Sequence, residues 1–182
     1  MQINLQQLQH VYKEAPRARL ERWLPILNQV MEKYEINTPS RVRMFLAQIG
    51  HESGLLRFVR EIWGPTPQQL RYDPPTDLAR RLGNTEPGDG RKYMGRGLIQ
   101  VTGKFNYTRV GQKMGLPLVD RPELLEEPLN AAESAGIFWR DENLNALCDA
   151  GLFKELTRRI NGGLNGYAHR YQLFQRAFEV IK

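Results

Sequence analysis

The chain has 182 residues, 41% of them hydrophobic and 25% charged, with a formal net charge of +6. That is the balance of an ordinary soluble globule with apolar material enough for a core. Its one cysteine, Cys148, excludes an intramolecular disulfide, and the lack of any run of about 18 apolar residues excludes a membrane-spanning helix.

The first ten residues carry no basic patch followed by an apolar run, so no signal peptide is predicted there. Leu5, Leu8 and Val11 or Tyr12 follow Asn4 at helical spacing, with Asn4 as the cap. A second periodic run passes through Leu20, Trp23, Leu24, Leu27, Val30, Met31 and Tyr34, and Pro25 inside it predicts a kink or a restart. Thr38-Pro39, a cap followed by a first-turn proline, opens a third helix that stops near Gly54. From Trp63 to Gly90 the chain is rich in proline and glycine, which predicts an irregular segment with one short helix near Thr76 to Leu82. Tyr93 to Gly103 reads as a glycine-flanked turn and a short strand, Leu98 to Val101. Helical periodicity returns over Asn106 to Met114, Asn130 to Arg140 and Leu152 to Ile160. A last amphipathic helix runs from about Tyr167 to Ile181. The expected fold is mainly α, with a small irregular or β-containing insert flanking a substrate cleft.

The positive charge favours polyanionic partners. The basic residues are scattered, however, and no nucleic-acid reading motif is present, so nucleic acid is not the expected partner. The three histidines, His10, His51 and His169, lack the spacing of common zinc motifs, and no metal is predicted.

Glu52 carries the clearest chemical signal. At about 100° per residue it falls roughly 20° from Phe45 and extends the apolar stripe of Val42, Phe45 and Ile49. A glutamate there is costly unless it is paired, protonated or opening into a cleft. The carbonyl end of the helix and partial burial both favour the protonated acid, which a proton donor to a glycosidic oxygen requires. A structural brace to the following loop fits the pattern equally well. Glu61 lies nine residues on, at the start of the irregular segment, either as a second carboxylate or as half of a salt bridge. Gly95 and Gly97 let backbone approach a ligand, and on a strand Gln100 and Thr102 would share one face. The same residues also suit a tight structural hairpin.

Together, Ala47-Gln-Ile-Gly-His-Glu-Ser53, Gly95-Arg-Gly-Leu-Ile-Gln-Val-Thr-Gly103 with Asn106-Tyr107, Ile160-Asn-Gly-Gly163 and Ala168-His-Arg170 resemble the ordered motifs of glycoside hydrolase family 19. This chitinase-like family also includes bacteriophage endolysins. The likeness runs from about residue 40 to 170. It implies a lysozyme-like α+β fold, inversion at the anomeric carbon and no cofactor. It implies Glu52 as general acid and Thr102 as a holder of the nucleophilic water. Tyr93, Gln100, Asn106, Tyr107, Asn161 and Arg170 would line the glycan groove. Glu61 is the preferred base, with Asp73 and Asp77 as alternatives at longer spacing.

Residues 1–182 are expected to form a single catalytic domain, monomeric and without a separate wall-binding domain. The single cysteine, the short Trp63 to Gly90 segment and the basic charge favour peptidoglycan as substrate over chitin. The expected role is an endolysin, held in the host cytoplasm until a separate permeabilising protein releases it to the periplasm. The last helix, with Arg170 and Arg176 beside its apolar face, is expected to pack on the core, with contact to the anionic envelope surface as the lesser alternative. The rival readings are a chitinase, a lytic transglycosylase that needs only one carboxylate, and a non-catalytic glycan-binding module.

Overall fold

The structure is a computed structural model that describes all residues, Met1–Lys182. Eleven α-helices and one 3-10 turn account for nearly all its regular structure. In chain order they are α1 (Leu5–Val11), α2 (Arg17–Lys33), α3 (Pro39–Glu52), α4 (Pro67–Leu70), α5 (Asp77–Leu82) and α6 (Asp89–Lys92). Then come α7 (Lys104–Met114), the 3-10 turn Pro122–Glu126, α8 (Pro128–Asp141), α9 (Leu144–Asp149), α10 (Phe153–Asn161) and α11 (Tyr167–Val180). The chain divides into two compact units, one made of Met1–Phe58 with Ala135–Lys182 and the other of Val59–Ser134. No helix is long and apolar enough to cross a membrane.

In the first unit each early helix starts where the sequence provides a cap. The Asn4 side chain accepts from Gln7 N while the Gln7 side chain accepts from Asn4 N, a reciprocal closure of the α1 terminus. The Thr38 hydroxyl accepts from Arg41 N and Pro39 fills the first turn of α3. Pro25 does not restart α2, which runs unbroken through it. The missing amide and the ring clash cost about 3 kcal/mol. Against that, Leu20, Trp23, Leu27, Val30 and Met31 are all buried on one face, at about 1.5–3 kcal/mol each.

Helix α3 is the centre of this unit. Every residue from Met44 to Gly50 is buried, so its middle has no solvent face. Helix α11 lies along it, α9 packs on it as well, and α1 bridges α11 and α2. Gly50 makes room for Tyr12: a Cβ there would sit 2.5 Å from Tyr12 Cε1. The Tyr12 hydroxyl donates to Leu46 O at 2.6 Å. Cys148 is buried, and desolvation pushes its thiol up to about 12, which leaves it inert.

The second unit packs around Tyr93, Leu98, Ile99, Tyr107, Leu118 and Leu125. The strand expected at Leu98 to Val101 is absent; only isolated bridges pair Arg60 with Arg96 and Arg96 with Val101. Arg96 and Val101 exchange both backbone hydrogen bonds, at 3.1 and 2.7 Å, which closes the residues between them into a turn. The amides of Gly97 and Leu98 donate instead to Val59 O and Ala131 O, so no neighbouring strand is needed to satisfy them.

Candidate active site

Each unit holds one of the two carboxylates singled out in the sequence. In the first, Glu52 closes α3 and Arg170 sits in the first turn of α11. Arg170 is fully buried, and its Nη2 donates to Glu52 Oε1 at 2.5 Å. Its Nη1 donates to Gln48 Oε1 at 2.7 Å and its Nε to Asn165 O at 3.2 Å. Gln48 is buried one turn before Glu52 and donates in turn to Thr157 Oγ1 at 3.0 Å. Positions i and i+4 share a helix face, so two turns of α3 present acceptors to one guanidinium. Of the ways a core-edge glutamate can be tolerated, pairing is the one found. The Glu52 side chain keeps 20% of its surface open. Oε2 has no protein partner.

Two features frame this pair. His51 and His169, the neighbours of Glu52 and Arg170, meet at 2.9 Å between their Nδ1 atoms. Burial, the Arg170 charge and His169 push the His51 imidazole down to about 4. The chain then leaves α3 through three left-handed residues, Gly54, Leu55 and Leu56, with φ of 56°, 58° and 64°. Leucine rarely adopts that conformation, and such strain collects at functional sites.

In the second unit, Glu61 is clamped on both oxygens. Gly95 N donates to Oε2 at 3.0 Å and Gln69 Nε2 to Oε1 at 2.9 Å. The Tyr72 hydroxyl lies at 3.5 Å from Oε1, and Glu61 N donates to Gly95 O at 2.8 Å. Burial and the adjacent Glu61 charge push the Tyr72 phenol up. Gly95 is the hub: a Cβ there would lie 2.4 Å from Gln100 Oε1 and 3.2 Å from Thr102 Oγ1. Gln100 and Thr102 therefore do share one side, brought there by a turn instead of a strand. Asn106 joins them by donating from Nδ2 to Thr102 O at 2.8 Å. The alternatives to Glu61 have other employment. Asp73 accepts from Gly88 N and Gly90 N, both at 2.9 Å, and Asp77 is a surface residue paired with Arg80.

Three residues expected to line a glycan groove are instead buried. Tyr93 is 1% exposed and donates to Val119 O, and Tyr107 is fully buried and donates to Met94 O. Burial raises the Tyr107 phenol even though Arg96 donates to it at 2.9 Å. Arg170 lies beneath Glu52. Asn161 is only partly covered, and its Nδ2 reaches the same Asn165 carbonyl as Arg170, at 3.5 Å. Arg176 is also buried, in a two-bond pair with Glu14, so the two arginines of the last helix turn inward, as the preferred core-packing reading expects, and not to an envelope surface. No three His, Cys, Asp or Glu side chains gather as a metal would require.

Sequence reading missed Gln48, Gln69 and the Trp63–Tyr72 ring pair, whose centroids lie 6.2 Å apart. Gln48 was detectable as a polar residue inside an apolar run, four residues before Glu52. Gln69 and the ring pair sit in the proline-rich segment, where no periodicity reports on burial.

The family described as chitinase class I matches residues 38–150. A family 19 domain protein of Haemophilus influenzae is 36% identical over 156 residues, covering 72% of this chain and 76% of the relative. An endochitinase of Arabidopsis thaliana is 36% identical over 124 residues, covering 67% of this chain but 39% of its own length. The chain thus spans about two fifths of that plant relative. Among solved structures, chitinase C from Streptomyces griseus superposes with a TM-score of 0.76 at 22% identity, over 98% of this chain and 92% of that one. A class IV chitinase from Zea mays gives 0.64 at 22% identity, over 85% and 79%. The two structures share the fold, the matched family covers most of the chain, and the chain belongs to glycoside hydrolase family 19, whose members hydrolyse glycosidic bonds.

Proposed function

We propose that this glycosidase cleaves β-1,4 bonds between N-acetylated amino sugars of peptidoglycan by an inverting acid–base reaction. The observation that carries the acid assignment is the buried Arg170, which fixes Glu52 through one oxygen only. A guanidinium has no acceptor site, so a proton on Glu52 resides on Oε2, the oxygen without a protein partner. That oxygen is the one available to the glycosidic oxygen as the leaving group departs. Glu61 is assigned as base. Its partners are all donors, which suits a carboxylate that takes a proton from water. Thr102 and Gln100, gathered at Gly95 beside Glu61, would orient that water, and Asn106 and Asn161 offer amides to sugar hydroxyls and N-acetyl groups. Arg170 supports Glu52 from beneath, and Tyr93 and Tyr107 brace the core of the second unit.

The net charge of +6 favours a substrate bearing carboxylates over neutral chitin. On that substrate we assign the protein an endolysin role, with release across a membrane by a separate protein. Chitin is the second reading, favoured by the relatives named as chitinases.

The test is mass spectrometry of soluble products from purified sacculi. Wild type is expected to release muropeptides with hydrated reducing ends. Glu52→Gln and Glu61→Gln should each lose about 10²–10⁴-fold in rate, the usual worth of a general acid or base. Anhydro ends, or full activity in Glu61→Gln, would replace this mechanism with a single-carboxylate transglycosylase. Activity on chitin oligomers alone would establish the second reading.

A further inference from the structure

Helix α11 carries aromatic rings on a face that its packing does not use. Leu173, Ala177 and Ile181 are buried at the α3 side, while Tyr167, Tyr171, Phe174 and Phe178 follow one another at i, i+4, i+7 and i+11. Consecutive ring centroids are 6.0, 6.0 and 6.4 Å apart, and Tyr167 and Tyr171 are nearly parallel, at 12°. Phe153 of α10 underpins the row, with its ring 4.8–5.9 Å from the first three. The row stays open at two places, with Tyr171 41% and Phe178 53% exposed. A groove of about 550 Å³ runs beside it, edged by Leu152, Lys154 and the paired Glu155 and Arg158.

We infer that this stripe is a second glycan-docking surface, which takes an extended carboxylate-bearing strand of peptidoglycan along α11. This rests on the substrate reading above. Four observations support it. Rings seven residues apart, Tyr167 with Phe174 and Tyr171 with Phe178, are separated by about 10.5 Å along the helix. That is close to the length of one disaccharide in an extended β-1,4-linked strand, so alternate sugars would meet rings in register. Aromatic faces bury the apolar faces of sugar rings at little conformational cost. The hydroxyls of Tyr167 and Tyr171 have no protein partner and are free to bond a ligand. Finally, Lys154 and Arg43 flank the row without a carboxylate partner; Arg43 donates from Nε and Nη2 to Ile181 O and lies 4.4 Å over the Phe178 ring. Those cations match the carboxylates of a peptide-bearing strand.

The experiment uses the full-length Glu52→Gln protein, so that binding is read without turnover, and co-sedimentation with purified sacculi. Tyr171→Ser with Phe178→Ser, both exposed, is expected to weaken retention about tenfold, from the loss of two ring contacts. Added salt is expected to weaken retention by the parent protein. With Glu52 intact, the same double substitution should leave hydrolysis of a short soluble oligomer unchanged. Unaltered retention on sacculi overturns the inference. So does equal, salt-insensitive retention on chitin powder, which would mean a neutral strand. Sedimentation velocity showing a parent dimer that the double variant abolishes would also overturn it, by assigning the stripe to a second copy. If the active wild type releases nothing from sacculi, the substrate reading itself fails, a result distinct from normal release with a dispensable stripe.

Discussion

Arg170 is the residue on which the first carboxylate depends. It is wholly buried, and its charge is answered by Glu52 and by the Gln48 amide. Removing one partner of a buried ion pair leaves the other uncompensated, at about 3–5 kcal/mol. Arg170→Ala is therefore expected to lower stability by about that amount and to reduce activity as Glu52 loses its orientation; chemical denaturation and product assays check both. A melting curve within error of wild type would mean that Glu52 is held by something else. His51 gives a pH signature. Its imidazole sits near 4 against an ordinary 6.5, so folding favours the neutral ring. That contribution is complete above about pH 6.5 and is lost as pH falls toward 4. His51→Gln is expected to flatten the dependence of Tm on pH across that window and to lower Tm at neutral pH. An unchanged slope would remove His51 as its source.

At the scale of elements, α3 shows how a sequence pattern becomes a site. Its cap, its first-turn proline and its end were all legible, because each depends on neighbours a few residues away. Glu52 was also legible as an oddity, since helical periodicity places it on the apolar stripe. Its partner was not, because the separation of 118 positions between Glu52 and Arg170 carries no periodic signal across it. The burial of Tyr93 and Tyr107 was invisible for the same reason: a tyrosine reads alike whether its hydroxyl meets a sugar or a carbonyl. The strand at Leu98 to Val101 was misread because alternation of polar and apolar residues also describes a turn anchored to a helix. Dependence on close packing is greatest at Gly50. Gly50→Ala would drive a methyl to 2.5 Å from the Tyr12 ring, and overpacking of this kind costs about 1–3 kcal/mol. The gain in helix propensity, about 1 kcal/mol, does not offset it, so a fall in Tm is expected, and a rise would show that Tyr12 swings away freely.

At the scale of the whole molecule, protection should follow burial. The amides of Met44 to Ile49, in the helix without a solvent face, are expected to exchange last in hydrogen-exchange mass spectrometry, with those of the Trp63 to Pro75 segment among the first. Early exchange in α3 would contradict its place at the centre of the first unit. The division of the chain has a further consequence for synthesis. The second unit is one continuous stretch, Val59–Ser134, and can fold as it leaves the ribosome. The first is assembled from two segments and cannot close until the later one arrives. Glu52 is made early, yet the arginine that anchors it is translated 118 residues afterwards. A ribosome that stalls before α11 thus leaves Glu52 without its guanidinium partner, and the Glu52–Arg170 pair forms only once α11 has been made.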